Sequence, residues 1–475
     1  MFQNPTLSVM ALKMTQPIIE TDLPITPFSL LQAHSHVGTL VTIAAQICGV
    51  SIDTIEDIYH CTPAQVYFTD VTRHLTDYED GYKHLAEQFV YRVSVDCNTE
   101  KLQRAWNQVH KRHRMLRTRI VRVAQETFQV VVQEPIPWLF SDNLEAYLAN
   151  DTQTTFGFGA QLGRFAFVAD EVTGHNYFVM TLHHALYDGW MLSLLWADVK
   201  RVYLDVAEAV TPADYRAMIK HVDQIDDRVS LHFWREHLHG VSCKPAWALI
   251  SSPTPAYSAA AAVTHWIPLM GIENGHPGVT LSTMIYGTLA VLLGSLSASP
   301  DVIFHLIRTG RDCSVISIED MVAPVLTRHP LRVRVDGNQN LGQYFQGIQA
   351  DLSSMIDAQF TSWRAIRQLS PEADMACKSA YLVNVVVLDE PIGVVERDIG
   401  LELERSREST PPPVPFWIRL VVAASGIKAT ASYDPQAFDK RSIEVLMHEY
   451  EALLLNVMLS GPEKEVNDVR PILGR

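Results

Sequence analysis

The chain has 475 residues, with 38 Lys and Arg against 53 Asp and Glu, a formal charge of -15 at pH 7, so it lacks the basic footprint of a nucleic-acid binder. With 47% hydrophobic and 19% charged residues and an ordinary share of Gly and Pro, it suits about two or three compact units and neither a disordered nor a collagen-like chain. The longest apolar run, HVGTLVTIAAQICGVSI from His36, is too short and too polar to span a membrane, and Met1–Gln16 lacks the basic start and cleavage site of a secretory signal.

Pro- and Ser-rich stretches mark expected breaks at Gln16–Phe28, Ser251–Ala262 and Arg405–Pro415, the last with four prolines in five residues, which neither a helix nor a central strand accommodates. Between them strand-like and helical patterns interleave. Glu87–Asp96 alternates Phe89, Tyr91, Val93 and Val95 and is expected to form a half-buried strand. Leu102, Ala105, Trp106 and Val109 then recur at helical spacing behind Asn98 or Thr99 as cap, in a pattern running on to Thr118. Arg164–Asp170 and Asn176–His184 read as a strand pair, followed by an apolar helix from Trp190 to about Leu204.

A second set follows: a helix at Leu281–Leu293, strands at Asp301–Leu306 and Pro330–Val335, and helices near Gly342–Gln359. Strands at Tyr381–Leu388 and Phe416–Ala424 and a closing amphipathic helix at Arg441–Leu459 complete it. The order strand, helix, strands, helix occurs twice, which predicts an α/β (α+β) protein of two lobes. Six cysteines (Cys48, Cys61, Cys97, Cys243, Cys313, Cys377) lie far apart with no C-x-x-C pair and no metal-ligand spacing. They read as reduced thiols of a cytoplasmic protein.

The sharpest local signal is His183-His184-Ala185-Leu186-Tyr187-Asp188-Gly189, between a buried-looking strand and a helix. A strand end presents its last side chains at a lobe edge, and Gly189 is expected to let the backbone turn sharply before the helix. Asp188 would orient the loop through hydrogen bonds or an Arg partner. One imidazole would then face a cleft and titrate near physiological pH. The bland alternative is a pair of core histidines satisfied by backbone.

Other stretches point less clearly to chemistry. FGFGAQLG (Phe156–Gly163) has the spacing G-x-G-x-x-x-G and is followed by a strand-like segment, unlike a dinucleotide-binding turn. Lys111–Arg119 (KRHRMLRTR) fits phosphate contact, but also a helix end whose cations suit the dipole and pair with acids elsewhere. His34-Ser35-His36 has ligand-type side chains without nearby partners.

These residues resemble the condensation domain of nonribosomal peptide synthetases, in a form typical of fungal enzymes and within the chloramphenicol-acetyltransferase-like superfamily. HHALYDGW is similar to its active-site loop, IEDIYHCTPAQ (Ile55–Gln65) to its opening segment, and RHRMLRTRIV (Arg112–Val121) to its second motif, with Arg114 where an acid is usual. HFWREHL (His232–Leu238), DVIFHLIRTGRD (Asp301–Asp312) and MVAPVLTRHPLRVRV (Met321–Val335) resemble later segments, with His305 and Ala323 replacing common glycines. Met191 stands where many relatives carry Ser. The start resembles the last helix of a peptidyl carrier domain, giving an expected order of carrier tail (1–20), linker (21–54), N-terminal lobe (55–235) and C-terminal lobe (236–475).

The resemblance implies two chloramphenicol-acetyltransferase-like lobes in a V-shaped pseudo-dimer, with a central tunnel in which two thioester arms meet at His184. It implies secondary-metabolite chemistry: an amine attacks a carrier-bound aminoacyl or peptidyl thioester, and an amide forms. Internal condensation and terminal, product-releasing cyclisation both stay open. An α-amine of pKa about 7.7–8 needs positioning as much as a strong base. His184 would accept the proton, His183 would be a buried orienting residue, Asp188 would be salt-bridged to Arg311, and the Gly189 N–H would be a candidate oxyanion donor. Tyr187 and Trp190 are candidate channel residues.

No metal or cofactor would be bound by the chain. Substrate would arrive on the 4'-phosphopantetheine of an upstream carrier domain of the same synthetase, with a downstream carrier as a further partner and neither nucleic acid nor membrane involved. Two alternatives remain: an epimerisation domain, which shares the loop but normally carries an E-G-H-G-R-E-like segment not found here, and a catalytically silent carrier-docking module.

Overall fold

The computed structural model describes residues 25–31, 36–76, 85–206, 212–242, 257–269, 276–379, 381–387, 394–408 and 414–470. The expected carrier tail lies outside the described residues, as do the prolines 411–413 and the first half of the Ser251–Ala262 break. Three open sheets organise the described chain. A small antiparallel sheet, order β1-β4-β3, is built from β1 (Ile55–His60), β3 (Thr118–Val123) and β4 (Glu126–Val132).

The second sheet has the order β12-β2-β7-β6-β5, from β2 (Ala86–Val93), β5 (Leu139–Ser141), β6 (Gly163–Asp170), β7 (His175–His183) and β12 (Leu401–Glu408). The third has the order β10-β9-β11-β13-β14-β8, from β8 (Ala261–Pro268), β9 (Asp301–Arg308), β10 (Thr327–Arg334), β11 (Tyr381–Val387), β13 (Phe416–Ala423) and β14 (Gly426–Tyr433). Its β9, β11 and β13 run parallel and its remaining pairs antiparallel.

Two large cores match the expected two lobes, and Trp234 opens the second of them. The chain does not stay on its own side of residue 235, however. β12 is the edge strand of the first sheet, hydrogen-bonded along β2, and Ile318, Met321, Val322, Ala323 and Val325 sit in the first core. The expected break at Arg405–Pro415 therefore begins too early: LELERSRE is a strand, with Arg92 paired to Glu402 and Glu404 across the two strands. An edge strand asks little of intrinsic pattern, because one ladder and exposed ion pairs suffice to hold it.

The segment expected to be a linker is partly structural as well. Helix Val37–Cys48 buries Leu40, Ala44, Ala45 and Cys48 in a core shared with β1, β3 and β4. That is where the longest apolar run of the sequence goes.

β2 ends at Val93, and Val95 is fully exposed. Nor is β2 half-buried: Phe89 and Tyr91 pack on Trp106 and Trp196, while Val90 on the opposite face packs on Leu144, Tyr147 and Leu148. Asn98 caps the next helix, its side chain accepting from the Lys101 N–H at 2.8 Å.

This helix stops at Arg112, short of the Thr118 suggested by its periodicity. Arg114 and Arg117 are drawn instead onto the Glu56 carboxylate at 2.6 and 2.7 Å, and Arg112 bonds Asp198 at 2.5 Å. Arg119 pairs with Glu134. The basic run is thus spent on internal acids, not on phosphate.

In the second core, helix Leu281–Ser297 is buried at every position from Thr283 to Gly294. Gly287 permits this, since a β-carbon there would lie 2.5 Å from the Phe345 ring. Pro330 is tolerated inside β10 because that strand is an edge.

Within the sheet a buried bidentate pair joins β10 to β9, Arg332 Nε and Nη2 to Asp301 at 2.7 and 2.9 Å, and Arg332 also reaches the end of helix Asp227–Leu238. The same guanidinium donates to the His239 and Gly240 carbonyls. Arg332→Ala would leave the Asp301 carboxylate buried without its cation, a loss of about 3–5 kcal/mol. Urea titration should place the unfolding midpoint correspondingly lower, and an unchanged midpoint would show that the pair does not fasten the lobe.

Candidate active site

The paired histidines sit where β7 ends, and strand alternation sends them to opposite sides. His183 is 1% exposed. Its Nδ1 accepts from the Ala185 N–H at 3.1 Å, so its Nε2 carries the proton and donates to Thr72 Oγ1 at 2.8 Å. His183 is thereby locked in one tautomer and turned away from solvent.

His184 differs in each respect. Its backbone N–H is tied to the Leu85 carbonyl at 2.8 Å, which fixes the residue. Its ring stacks on Phe68 (centroids 5.6 Å) and on Tyr187 (4.9 Å) and keeps part of its surface exposed. Among the described residues neither ring nitrogen has a hydrogen-bond partner. Burial pushes the imidazole below its ordinary value; the nearby Glu87 carboxylate opposes this and the Arg419 guanidinium adds to it. The result is a neutral ring at pH 7 with a nitrogen free to accept a proton.

The supports of this ring come largely from one helix face. Gln65, Phe68 and Thr72 of helix Pro63–Thr76 stand three or four residues apart and so share a face. Gln65 Nε2 donates to the Ala185 carbonyl, Phe68 stacks on His184, and Thr72 holds His183. Sequence reading caught Gln65 only as part of a motif and missed Phe68 and Thr72, although their spacing is visible. Glu87 was missed for a better reason: its neighbours Tyr187 and Ser406, both of which donate to it, are brought in by the histidine loop and by β12.

Asp188 is 5% exposed and occupies the meeting point of the two halves. Its Oδ1 accepts from the Met191 N–H at 2.7 Å, capping helix Gly189–Tyr203, and its Oδ2 accepts from the Val325 N–H at 2.8 Å. The expected contact with Arg311 is present but long, 3.5 Å. Arg311 bonds more closely to three carbonyls, of Ile318, Met321 and Ala323, at 2.5, 2.9 and 2.9 Å. Its guanidinium therefore serves chiefly as the spool around which residues 311–325 wind. Gly310 begins that turn with φ +69°, and a β-carbon there would lie 2.0 Å from the Val325 carbonyl oxygen, so only glycine fits.

Two expectations need correction. Gly189 does not make a sharp turn: it is absent from the positive-φ residues, it is the first residue of its helix, and a β-carbon would meet nothing within 4 Å. It leaves open space, and its N–H has no partner among the described residues. Tyr187 is 3% exposed, so it is a wall of the His184 ring and not a channel surface, with its hydroxyl donating to Glu87 at 2.7 Å. Trp190 is fastened across the halves, its Nε1 donating to the Glu319 carbonyl at 2.8 Å and its ring lying under Arg311. Met191 is fully buried, so no hydroxyl could act from that position.

Among the described residues no group of three or more His, Cys, Asp or Glu could hold a metal ion, and no helix is long and apolar enough to cross a membrane.

A family model described as Condensation domain matches residues 55–472. The chain is 32% identical over 382 residues to nonribosomal peptide synthetase SIDD of Beauveria bassiana, covering 79% of this chain and 20% of that protein. It is 28% identical over 481 residues to nonribosomal peptide synthetase sidD of Aspergillus fumigatus, covering 99% and 22%. The chain thus spans about a fifth of the length of these curated relatives. Among solved structures, the first condensation domain of the calcium-dependent antibiotic synthetase in complex with a substrate analogue superposes with TM-score 0.64 at 14% identity, covering 86% of this chain and 98% of that one. The mixed helix-and-sheet fold of two halves is therefore that of condensation domains.

Two outcomes follow from this geometry. Asp188→Asn turns an N–H donor toward one of the three donors it now serves, at about 1–3 kcal/mol for each buried donor left unpaired. The melting temperature should fall together with activity, whereas an inactive variant with unchanged melting would mean that Asp188 acts in chemistry directly. Because the His184 pKa is depressed, a rate that needs the neutral ring should decline only below the ordinary histidine value of about 6.5. Stability linked to this group is full above that value and lost as pH falls through the depressed one. A pH–rate profile of Arg419→Gln should show the acid limb moved upward, and an unmoved limb would remove Arg419 from the field at His184.

Proposed function

The chain belongs to the condensation-domain family, and from that premise we propose that it forms an amide bond by attack of an amine on a carrier-bound aminoacyl or peptidyl thioester. The observation that carries the reading is the state of His184: neutral, clamped between two aromatic rings, partly exposed, and without a competing hydrogen bond. The donor acyl group would be delivered on the 4'-phosphopantetheine arm of an upstream carrier domain, and the acceptor amine would come from the other side of the passage between the halves.

The amine is mostly protonated at pH 7 but has a substantial neutral fraction, since an α-amine has pKa about 7.7–8. Holding that nitrogen against the thioester carbon supplies much of the rate. As the C–N bond forms the nitrogen becomes acidic, and a His184 ring nitrogen takes the proton. The C–S bond then breaks, and the same proton can leave with the thiolate. The unpaired Gly189 N–H, at the positive end of helix Gly189–Tyr203, is a suitable donor toward the developing oxyanion. His183 and Asp188 act as positioning residues, the first through the His184 backbone and the second by holding the helix start and the 311–325 loop in place.

Epimerisation would need a second base beside His184. Glu87 is the nearby carboxylate, but both its oxygens are already engaged, accepting from Tyr187 and Ser406 at 2.7 and 2.5 Å. A silent docking module has no use for an imidazole kept neutral and unpaired.

His184→Ala should fold normally by circular dichroism and lose amide formation by at least about a hundredfold, read by mass spectrometry of the product from a loaded carrier. Turnover near wild type would end this reading. Incubation of a carrier-bound aminoacyl thioester in deuterium oxide should leave the α-position unlabelled, whereas uptake of label would establish epimerisation.

A further inference from the structure

One face of the third sheet carries a row of mostly polar side chains, and Arg419 in that row is near enough for its charge to act on His184. Along β13 the residues alternate: Phe416, Ile418, Leu420 and Val422 are buried, and Trp417, Arg419, Val421 and Ala423 lie on the half-open face. Strand register places Asn384 of β11 on one side of Arg419 and Thr430 of β14 on the other, with Thr264 of β8 beyond. Paired residues share a face, so Asn384, Arg419, Thr430 and Thr264 form one continuous row. The Thr264 and Thr430 hydroxyls are 3.3 Å apart.

On the far side the row continues through Ile307 of β9 to Arg328 of β10. Arg328 reaches the first half, where its guanidinium bonds the Tyr67 hydroxyl. Tyr67 is the chain neighbour of Phe68, whose ring lies on His184. This side of the row is thus fastened to the helix that carries the imidazole's support.

Arg328 and Arg419 differ in one respect. Arg328 has Tyr67 and His305 as hydrogen-bond partners and lies over Trp363. Arg419 has no hydrogen bond or ion pair among the described residues; its Nε is buried without a partner, as is that of Arg328, but unlike Arg328 it engages no acceptor through its other two nitrogens either. The amide of Asn384 beside it is also unengaged among the described residues. A guanidinium without an acceptor is costly where it is buried, and its fork geometry suits a planar carboxylate, as it does a phosphate. The carboxylate of Glu87 does not answer it, being held by Tyr187 and Ser406.

We infer that Arg419, with Asn384 and Thr430 beside it, is a recognition point for a carboxylate borne by the substrate that reaches His184. The inference rests on the amide-forming reading above and adds the substrate class to it. The carboxylate has two sources, an acidic side chain on a carrier-tethered aminoacyl group or the free α-carboxylate of an untethered amino acid acceptor. Arg419 is a specificity residue and takes no part in proton transfer.

The test separates binding from turnover. Non-reactive thioether analogues of N-acetylcysteamine carrying Glu or Gln, and free amino acids against their α-amides, are titrated calorimetrically into the intact chain. A charge-assisted hydrogen-bond pair should make one acid of these pairs bind on the order of 10–100-fold tighter than its amide. The Glu–Gln pair identifies the side-chain source and the free amino acids the α-carboxylate source. Arg419→Gln should abolish the preference without lowering the melting temperature, and Arg419→Lys should restore part of it.

Equal binding of acid and amide in both pairs overturns the inference, as does a preference that survives Arg419→Gln. Neither result touches the amide-forming reading, which is decided separately by turnover of His184→Ala. A chain that shows the acid preference but makes no amide with any loaded carrier would sink that reading and leave the carboxylate site standing.

Discussion

One buried carboxylate holds the geometry on which everything else depends. Asp188 has two oxygens, and it gives one to the first turn of the helix that follows the histidine loop and the other to the Val325 N–H of the opposite half. A carboxylate that is 5% exposed must have its lone pairs used, because burying an ion without partners costs several kcal/mol. Those partners exist only when residues 311–325 are wound around Arg311 and laid against the first core. The requirement of a single side chain thus enforces the contact between halves beside the histidine loop.

The same logic explains the different fates of two adjacent histidines. His183 is given a donor and an acceptor and becomes part of the frame. His184 is given two aromatic faces and no hydrogen bond. Apolar walls destabilise the imidazolium more than the imidazole, so the ring is held ready to accept a proton. The opposed charges of Glu87 and Arg419 act on that balance from the two halves, which makes the protonation state of His184 sensitive to how the halves are seated.

Reinforcement of the seating comes from strand exchange. β12 leaves the second half and completes the first sheet, bringing Ser406 to Glu87 and through it to Tyr187. Trp190 reaches the other way to Glu319. Several independent contacts therefore fix the wall of the His184 ring.

The amino-acid order alone determined the two-lobe α/β plan, most central strands, the Asn98 cap and the histidine loop, because each is written in local periodicity or in contiguous residues. It also paired Asp188 with Arg311, through resemblance and not through spacing. What it could not determine is set by contacts distant in sequence. The helix ending at Arg112 is cut short by Glu56, β12 is a strand because β2 offers it an open edge, and Gly189 is not bent because Asp188 caps the helix with ordinary backbone angles. Tyr187 turned out to be a wall, and Phe68, Thr72, Glu87 and Arg419 entered the site from other elements. Local pattern encodes which face of an element is apolar, but which surfaces meet, and so which ionisable groups feel one another, is decided only when the halves close.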